Sequence, residues 1–163
     1  MSDLYSETPL VTRLNADQLH SIGVPEGWNY GQADRVRFHE LDALNHVNNI
    51  VYLRWFEDIR IPYFQDHAIT SYNAKNDPQV VLATNSARYF KPMFLGETFV
   101  VTARASSYRN SSFVLEYGVW VGSELRCSGE TVVVTLEQDG KTKRPLSADA
   151  ISALSADGAV KAD

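Results

Sequence analysis

At 163 residues the chain is the size of one domain, and 44% apolar with 21% charged residues is the composition of a folded globular protein rather than a disordered one. Twenty acidic against fifteen basic residues leave a formal net charge of -5, which argues against a general nucleic-acid binder but leaves room for a small anion held by a few local cations. Cys127 is the only cysteine, which excludes an intramolecular disulfide framework and a Cys-rich zinc site and points to a reducing cytoplasm.

The acidic, polar start of the chain lacks the basic and apolar regions of a secretory signal, and no run approaches the ~18 apolar residues that cross a bilayer. A cytoplasmic protein without membrane association is expected. The aromatic share, 11% with eight Tyr and seven Phe, fits a sheet-rich domain or a large apolar pocket or interface.

In chain order, Asn15 reads as a helix N-cap, with Gln18 reaching back in capping-box fashion and Gly23 and Pro25 closing a helix of about two turns. Gly27, Asn29 and Gly31 mark a loop. Asp34 to His39 alternates, Val36 and Phe38 against Arg35, Arg37 and His39, which predicts a half-buried strand. A polar, turn-prone stretch over 40–49 then leads into residues 50–61, where apolar side chains recur with the helical period and cover most of the circumference. That predicts a helix buried on most sides. Pro62 is expected to kink or restart it, with an end near Asp66.

Four strands follow: Gln79 to Phe90, Thr98 to Tyr108, Phe113 to Val121, and Leu125 to Glu137, with Gly122-Ser123 as a two-residue hairpin loop. The tail carries one short helix after Ser147 and then an Ala-rich, frayed end. Strand, long helix and four antiparallel strands make a two-layer α+β domain spanning 1–163, with its core at about 35–137, a lead-in at 1–33 and a tail at 141–163. One sheet around one helix leaves a face or an edge uncovered, so a homo-oligomer is expected.

The segment 40–49 holds an acid, an imidazole and several amides at the N-terminus of a buried helix. Free backbone N–H groups and the helix dipole favour negative charge there, so a carbonyl oxygen aimed at them is polarised. Asp42 stands a few residues upstream, placed as base or nucleophile. An acid plus a helix N-terminus suffices for acyl transfer without Ser or Cys. The competing reading is that Asp42 is a capping or turn residue.

Val36-Arg37-Phe38-His39-Glu40-Leu41-Asp42-Ala43-Leu44-Asn45-His46-Val47-Asn48-Asn49, followed by Tyr52-Leu53-Arg54-Trp55-Phe56-Glu57 and Arg60, resembles the signature of hotdog-fold thioesterases. It is similar to the 4-hydroxybenzoyl-CoA thioesterase branch, and His-Val-Asn-Asn is also similar to plant acyl-carrier-protein thioesterases. The resemblance covers roughly residues 35 to 137, including Phe90-Lys91-Pro92 and Leu95-Gly96-Glu97. It implies an antiparallel sheet wrapped around one long central helix, and a homodimer or dimer of dimers with active sites at the subunit interface.

The resemblance further implies Asp42 as the catalytic acid, the Asn49 backbone N–H as the amide that polarises the thioester carbonyl, and His46 near the site. Two departures stand out. Asn45 replaces a frequent Gly, and Asn tolerates the left-handed conformation better than most residues, so the turn is expected to survive. Leu44 stands where the plant branch has Asn, which favours the simpler Asp-plus-helix site.

Asn48, Thr84, Asn85, Ser86, Arg88 and Lys91 are candidate substrate contacts, the last two as cations for coenzyme A phosphates. Trp55 and Phe56 read as core, Glu57 and Arg60 as an intrahelical pair, and Cys127 as an inert small residue. His39, Asp42 and His46 do not form a recognisable zinc pattern, so no metal is expected. Coenzyme A enters as part of the substrate, a small-molecule acyl thioester, and no cofactor is expected. Two alternatives remain: a hotdog hydratase or dehydratase, and a non-catalytic acyl-CoA-binding module.

Overall fold

Apolar–polar alternation builds the sheet, and its apolar face is what the long helix covers. The computed structural model describes Tyr5 and residues 7–163. In chain order it has β1 (Arg13–Leu14), α1 (Ala16–Ile22), β2 (Gly31–Arg35), a 3-10 turn (Phe38–Glu40), α2 (Asn49–Asp66), β3 (Gln79–Tyr89), β4 (Thr98–Tyr108), β5 (Ser112–Val121), β6 (Glu124–Leu136), α3 (Ala148–Ala156) and β7 (Val160–Lys161). The strands lie in the order β1-β2-β4-β5-β6-β3, all antiparallel, with β7 added parallel to the end of β4. This is the expected α+β hotdog fold, an antiparallel sheet around one long central helix.

α2 buries Tyr52, Trp55, Phe56, Ile59, Tyr63 and Phe64 against the sheet. Trp55 stacks on Phe99 of β4 with ring centroids 4.0 Å apart, Phe56 stacks on Tyr117 of β5 at 4.6 Å, and Phe64 meets Phe113 edge-on at 5.7 Å. Each fully buried aromatic of this kind contributes about 2–3 kcal/mol through the area it removes from water. β6 makes room for the helix at Gly129, where a Cβ would lie 2.3 Å from the Phe56 ring. The helix runs through Pro62 without interruption and ends at Asp66.

Three expectations need correction. The strand expected from Asp34 to His39 begins earlier, at Gly31, and stops at Arg35. Gly31 pairs with Leu14 and Thr102, and a glycine is needed there because the Leu19 side chain and the Val101 carbonyl each lie 2.9 Å from where a Cβ would be. Phe38 and Val36 do not share an environment: Val36 is buried and Phe38 is exposed. The chain turns there because the Glu40 carboxylate folds inward, accepting the Arg37 N–H at 2.8 Å and the Trp55 indole N–H at 3.0 Å.

The lead-in, expected to lie outside the core, builds a second one. α1, capped by Asn15 and Gln18 as expected, packs Leu19 and Ile22 with Trp28, Val100 and Trp120 in a second apolar cluster on the sheet face opposite α2. The domain is therefore three layers thick on that side. Finally, the tail does not fray. α3 buries Ala150 and Leu154 in the main core, and β7 pairs with Ser107 and Tyr108. A register shift in β4 between Ala105 and Ser107 accompanies this docking, and the Ala105 N–H donates to the Asp157 carboxylate at 2.9 Å.

β3 is the open side of the molecule. One edge pairs with β6, the other pairs with nothing among the described residues, and nearly every β3 side chain is exposed, Val81 and Leu82 included.

Candidate active site

The loop before α2 is built by its own backbone. Leu41 and Val47 bridge, the Asp42 N–H donates to the His46 carbonyl at 2.8 Å, and the Asn45 N–H donates to the Asp42 carbonyl at 3.1 Å. Asn45 closes the turn at φ 59°, the left-handed conformation that Asn tolerates, so the replacement of Gly leaves the turn intact. Glu40 clamps both ends: its side chain holds Arg37 and Trp55, and its carbonyl accepts the Asn48 N–H at 2.9 Å.

Asp42 does the work of a turn residue with one carboxylate oxygen and leaves the other open. Its Oδ1 accepts the Leu44 and His46 N–H groups at 2.8 and 3.2 Å, which is the work of a turn residue. Its Oδ2 has no hydrogen-bond partner among the described residues. At the helix start, the Asn48 side chain accepts the Ile50 N–H at 3.0 Å and its carbonyl the Val51 N–H at 2.9 Å. The Asn49 N–H, the first of α2, is left without a partner among the described residues.

Asp42, His46 and Asn49 line one cleft of ≈ 360 Å³ together with Val47, Tyr52, Tyr89, Phe90, Lys91 and Pro92. Three of the expected site residues and Lys91 therefore meet. Asn48 stands beside them as the helix cap. The His46 ring packs edge-on against Phe94 at 5.2 Å, and neither of its nitrogens makes a hydrogen bond among the described residues. Lys91 is ion-paired with Glu124, which also pairs with Arg126.

The β3 candidates are not brought to this cleft within one chain. Asn85 faces the helix side, where its Oδ1 accepts the Thr131 hydroxyl at 3.0 Å. Thr84, Ser86 and Arg88 project from the opposite face by alternation, and Arg88 sits over the Phe90 ring at 5.4 Å with no ion pair among the described residues. Among the described residues no three His, Cys, Asp or Glu side chains are grouped to hold a metal ion. Cys127 is buried beneath the strand pair, and burial pushes its thiol up to about 12, which keeps it protonated and unreactive.

Sequence reasoning missed Tyr52, Tyr89 and Glu40 as site residues. Tyr52 was legible in principle, since it lies three residues after Asn49 and so on the same helix face. Tyr89, whose hydroxyl donates to the Asn49 carbonyl at 2.8 Å, comes from a distant strand and leaves no local signal.

Residues 36–154 match the family model of the thioesterase-like superfamily. A thioesterase-superfamily structure from Jannaschia sp. CCS1 is 37% identical, with 94% of this chain and 99% of that one covered and a TM-score of 0.89. A thioesterase from Thermus thermophilus, solved with coenzyme A and Zn, is 30% identical over 82% of this chain and 97% of that one, with a TM-score of 0.68. The Bacillus subtilis (strain 168) protein YsmA is 29% identical over 105 residues, 64% of this chain and 70% of that protein. With its helix-wrapping sheet and the Asp42 loop at the helix start, the chain belongs to the thioesterase-like superfamily as a hotdog thioesterase.

Proposed function

We propose that this protein hydrolyses an acyl-CoA thioester in the cleft between the Asp42 loop and the start of α2. The observation that carries the reading is the pairing of two unpartnered groups in one cleft: the Asp42 Oδ2 acceptor and the Asn49 N–H donor. The thioester carbonyl oxygen accepts from the Asn49 N–H, reinforced by the positive end of the helix dipole. Asp42 then acts as base or as nucleophile. As base, it takes a proton from water while the water oxygen bonds to the carbonyl carbon. The C–S bond breaks and the departing thiolate receives that proton. As nucleophile, Oδ2 itself bonds to the carbon, the C–S bond breaks and thiolate leaves, and water then cleaves the resulting anhydride, its proton going to the thiolate. A covalent acyl-Asp42 adduct trapped in a single turnover, by hydroxylamine or by mass spectrometry of the quenched enzyme, marks the nucleophile route, and its absence the general-base route.

His46 lines the same cleft as a polar neighbour of the reacting group, and Asn48 keeps the helix start in shape. Lys91 at the cleft and Arg88 on the β3 face supply cations for coenzyme A phosphates. Coenzyme A as the carrier is supported by its presence in the 30% identical Thermus thermophilus structure. The scheme needs no cofactor. The unpaired edge and exposed Val81 and Leu82 of β3 support pairing of two chains, as a dimer or dimer of dimers, which would bring Thr84, Asn85 and Ser86 to a partner's cleft. Sedimentation velocity tests this; a monomer at micromolar concentration would remove it.

The decisive experiment is thiol release from a panel of acyl-CoAs and acyl-carrier proteins by wild type and Asp42→Asn. Equal rates would take Asp42 out of the mechanism. Hydration of an enoyl-CoA without thiol release would establish a hydratase instead, and tight binding without turnover a non-catalytic acyl-CoA module.

A further inference from the structure

Tyr52 is the buried polar side chain in the cleft that the scheme above leaves unused. It is 3% exposed, and it lines the cleft together with Asp42, His46 and Asn49. Its ring is fixed edge-on by Trp55 at 5.1 Å and by Tyr89 at 5.2 Å.

Its hydroxyl has no hydrogen-bond partner among the described residues. The contrast with the other buried tyrosines is plain: Tyr63 donates to Asp157, and Tyr117 accepts from Arg60 at 3.2 Å. The oxygen is not sealed from solvent, so the hydroxyl is free to bond a molecule that enters the cleft. Tyr52 follows Asn49 by three residues and so stands on the same face of α2 as the free Asn49 N–H, in the wall of the same cleft.

We propose that the Tyr52 hydroxyl donates a hydrogen bond to the thioester carbonyl oxygen, forming with the Asn49 N–H a two-donor oxyanion site. The inference rests on the thioesterase reading and adds a catalytic residue to it. The phenol is suited to the role: burial, the largest cause, raises its pKa above the ordinary tyrosine value, so it stays a neutral donor at physiological pH.

The test is Tyr52→Phe assayed with the best acyl-CoA of the panel. No native hydrogen bond is lost in this variant, so its Tm is expected to match wild type, which separates the effect from a structural one. kcat is expected to fall about 10²-fold, as for loss of one oxyanion donor, with KM and the affinity for a non-hydrolysable thioether of coenzyme A unchanged. A kcat within twofold of wild type, or a rise in KM alone, would overturn the assignment. Wild-type, Asp42-dependent turnover with an unaffected Tyr52→Phe removes only this inference. A wild type that releases no thiol removes the thioesterase reading and this inference with it.

Discussion

The two ends of α2 are built on opposite principles. At the C-terminal end polar side chains are closed off by partners. The Tyr63 hydroxyl donates to the Asp157 carboxylate, which also takes the Ala105 N–H. Tyr30 donates to Asp66 at 2.7 Å, Asp66 pairs with Arg13 at 2.9 Å, and His67 stacks on the Tyr63 ring at 3.7 Å. At the N-terminal end the Asp42 Oδ2, the Asn49 N–H and the Tyr52 hydroxyl are left open, and Phe38, Leu44 and Ile50 are exposed around them. One end gains stability from satisfied groups. The other gives some up, because a group already bonded within the chain cannot bond a reacting carbonyl.

The comparison can be broken in either direction. The largest effect is expected at the open end: Asp42→Asn should lower kcat/KM about 10³-fold, equivalent to ~4 kcal/mol of transition-state stabilisation, in a thiol-release assay. Its Tm should hardly move, since Asn keeps the Oδ1 that organises the loop. A collapse in Tm would instead make Asp42 a purely structural residue.

Asp157→Ala should do the reverse. It strands two buried donors and should cost about 2–4 kcal/mol, lowering Tm by about 5–10 °C, while activity per folded molecule persists. Activity lost in step at assay temperature would mean that the closed end communicates with the site.

Glu40→Gln falls between the ends. One carboxylate accepts from both Arg37 and Trp55, whereas an amide has only one acceptor oxygen, so one N–H would face another donor. The expected loss is about 1–2 kcal/mol in denaturant unfolding, with a several-fold drop in kcat from the loosened loop. The smallest effect belongs to Lys91→Ala at the cleft rim. Lys91 is exposed and already shared with Glu124, so KM for acyl-CoA should rise about two- to threefold, and less at high salt. A larger, salt-insensitive change would place Lys91 in direct contact with a desolvated phosphate.

Much of this was legible in the chain itself. The strand pattern located β3 to β6 to within a residue or two. The Asn15 capping box and the left-handed Asn45 followed from local side-chain chemistry. The illegible parts depended on distant partners. Val36 and Phe38 alternate like strand residues, yet Glu40 pulls the chain into a turn by reaching Trp55, fifteen residues away. The Ala-rich tail carries no strong local pattern, and it is held by distant partners: Ala150 and Leu154 in the core, the pairing of β7 with β4, and Asp157 on Ala105 and Tyr63.

Periodicity and capping act over a few residues, so sequence alone determined which segments become strands and helices, and its Asp-x-x-x-His-Val-Asn-Asn run pointed to the site. Tertiary structure decided which polar groups in those segments end up satisfied. Whether Asp42, Asn49 and Tyr52 keep an open valence depends on what β3 and the 89–92 segment bring to the helix start, through contacts between residues some forty positions apart in the chain.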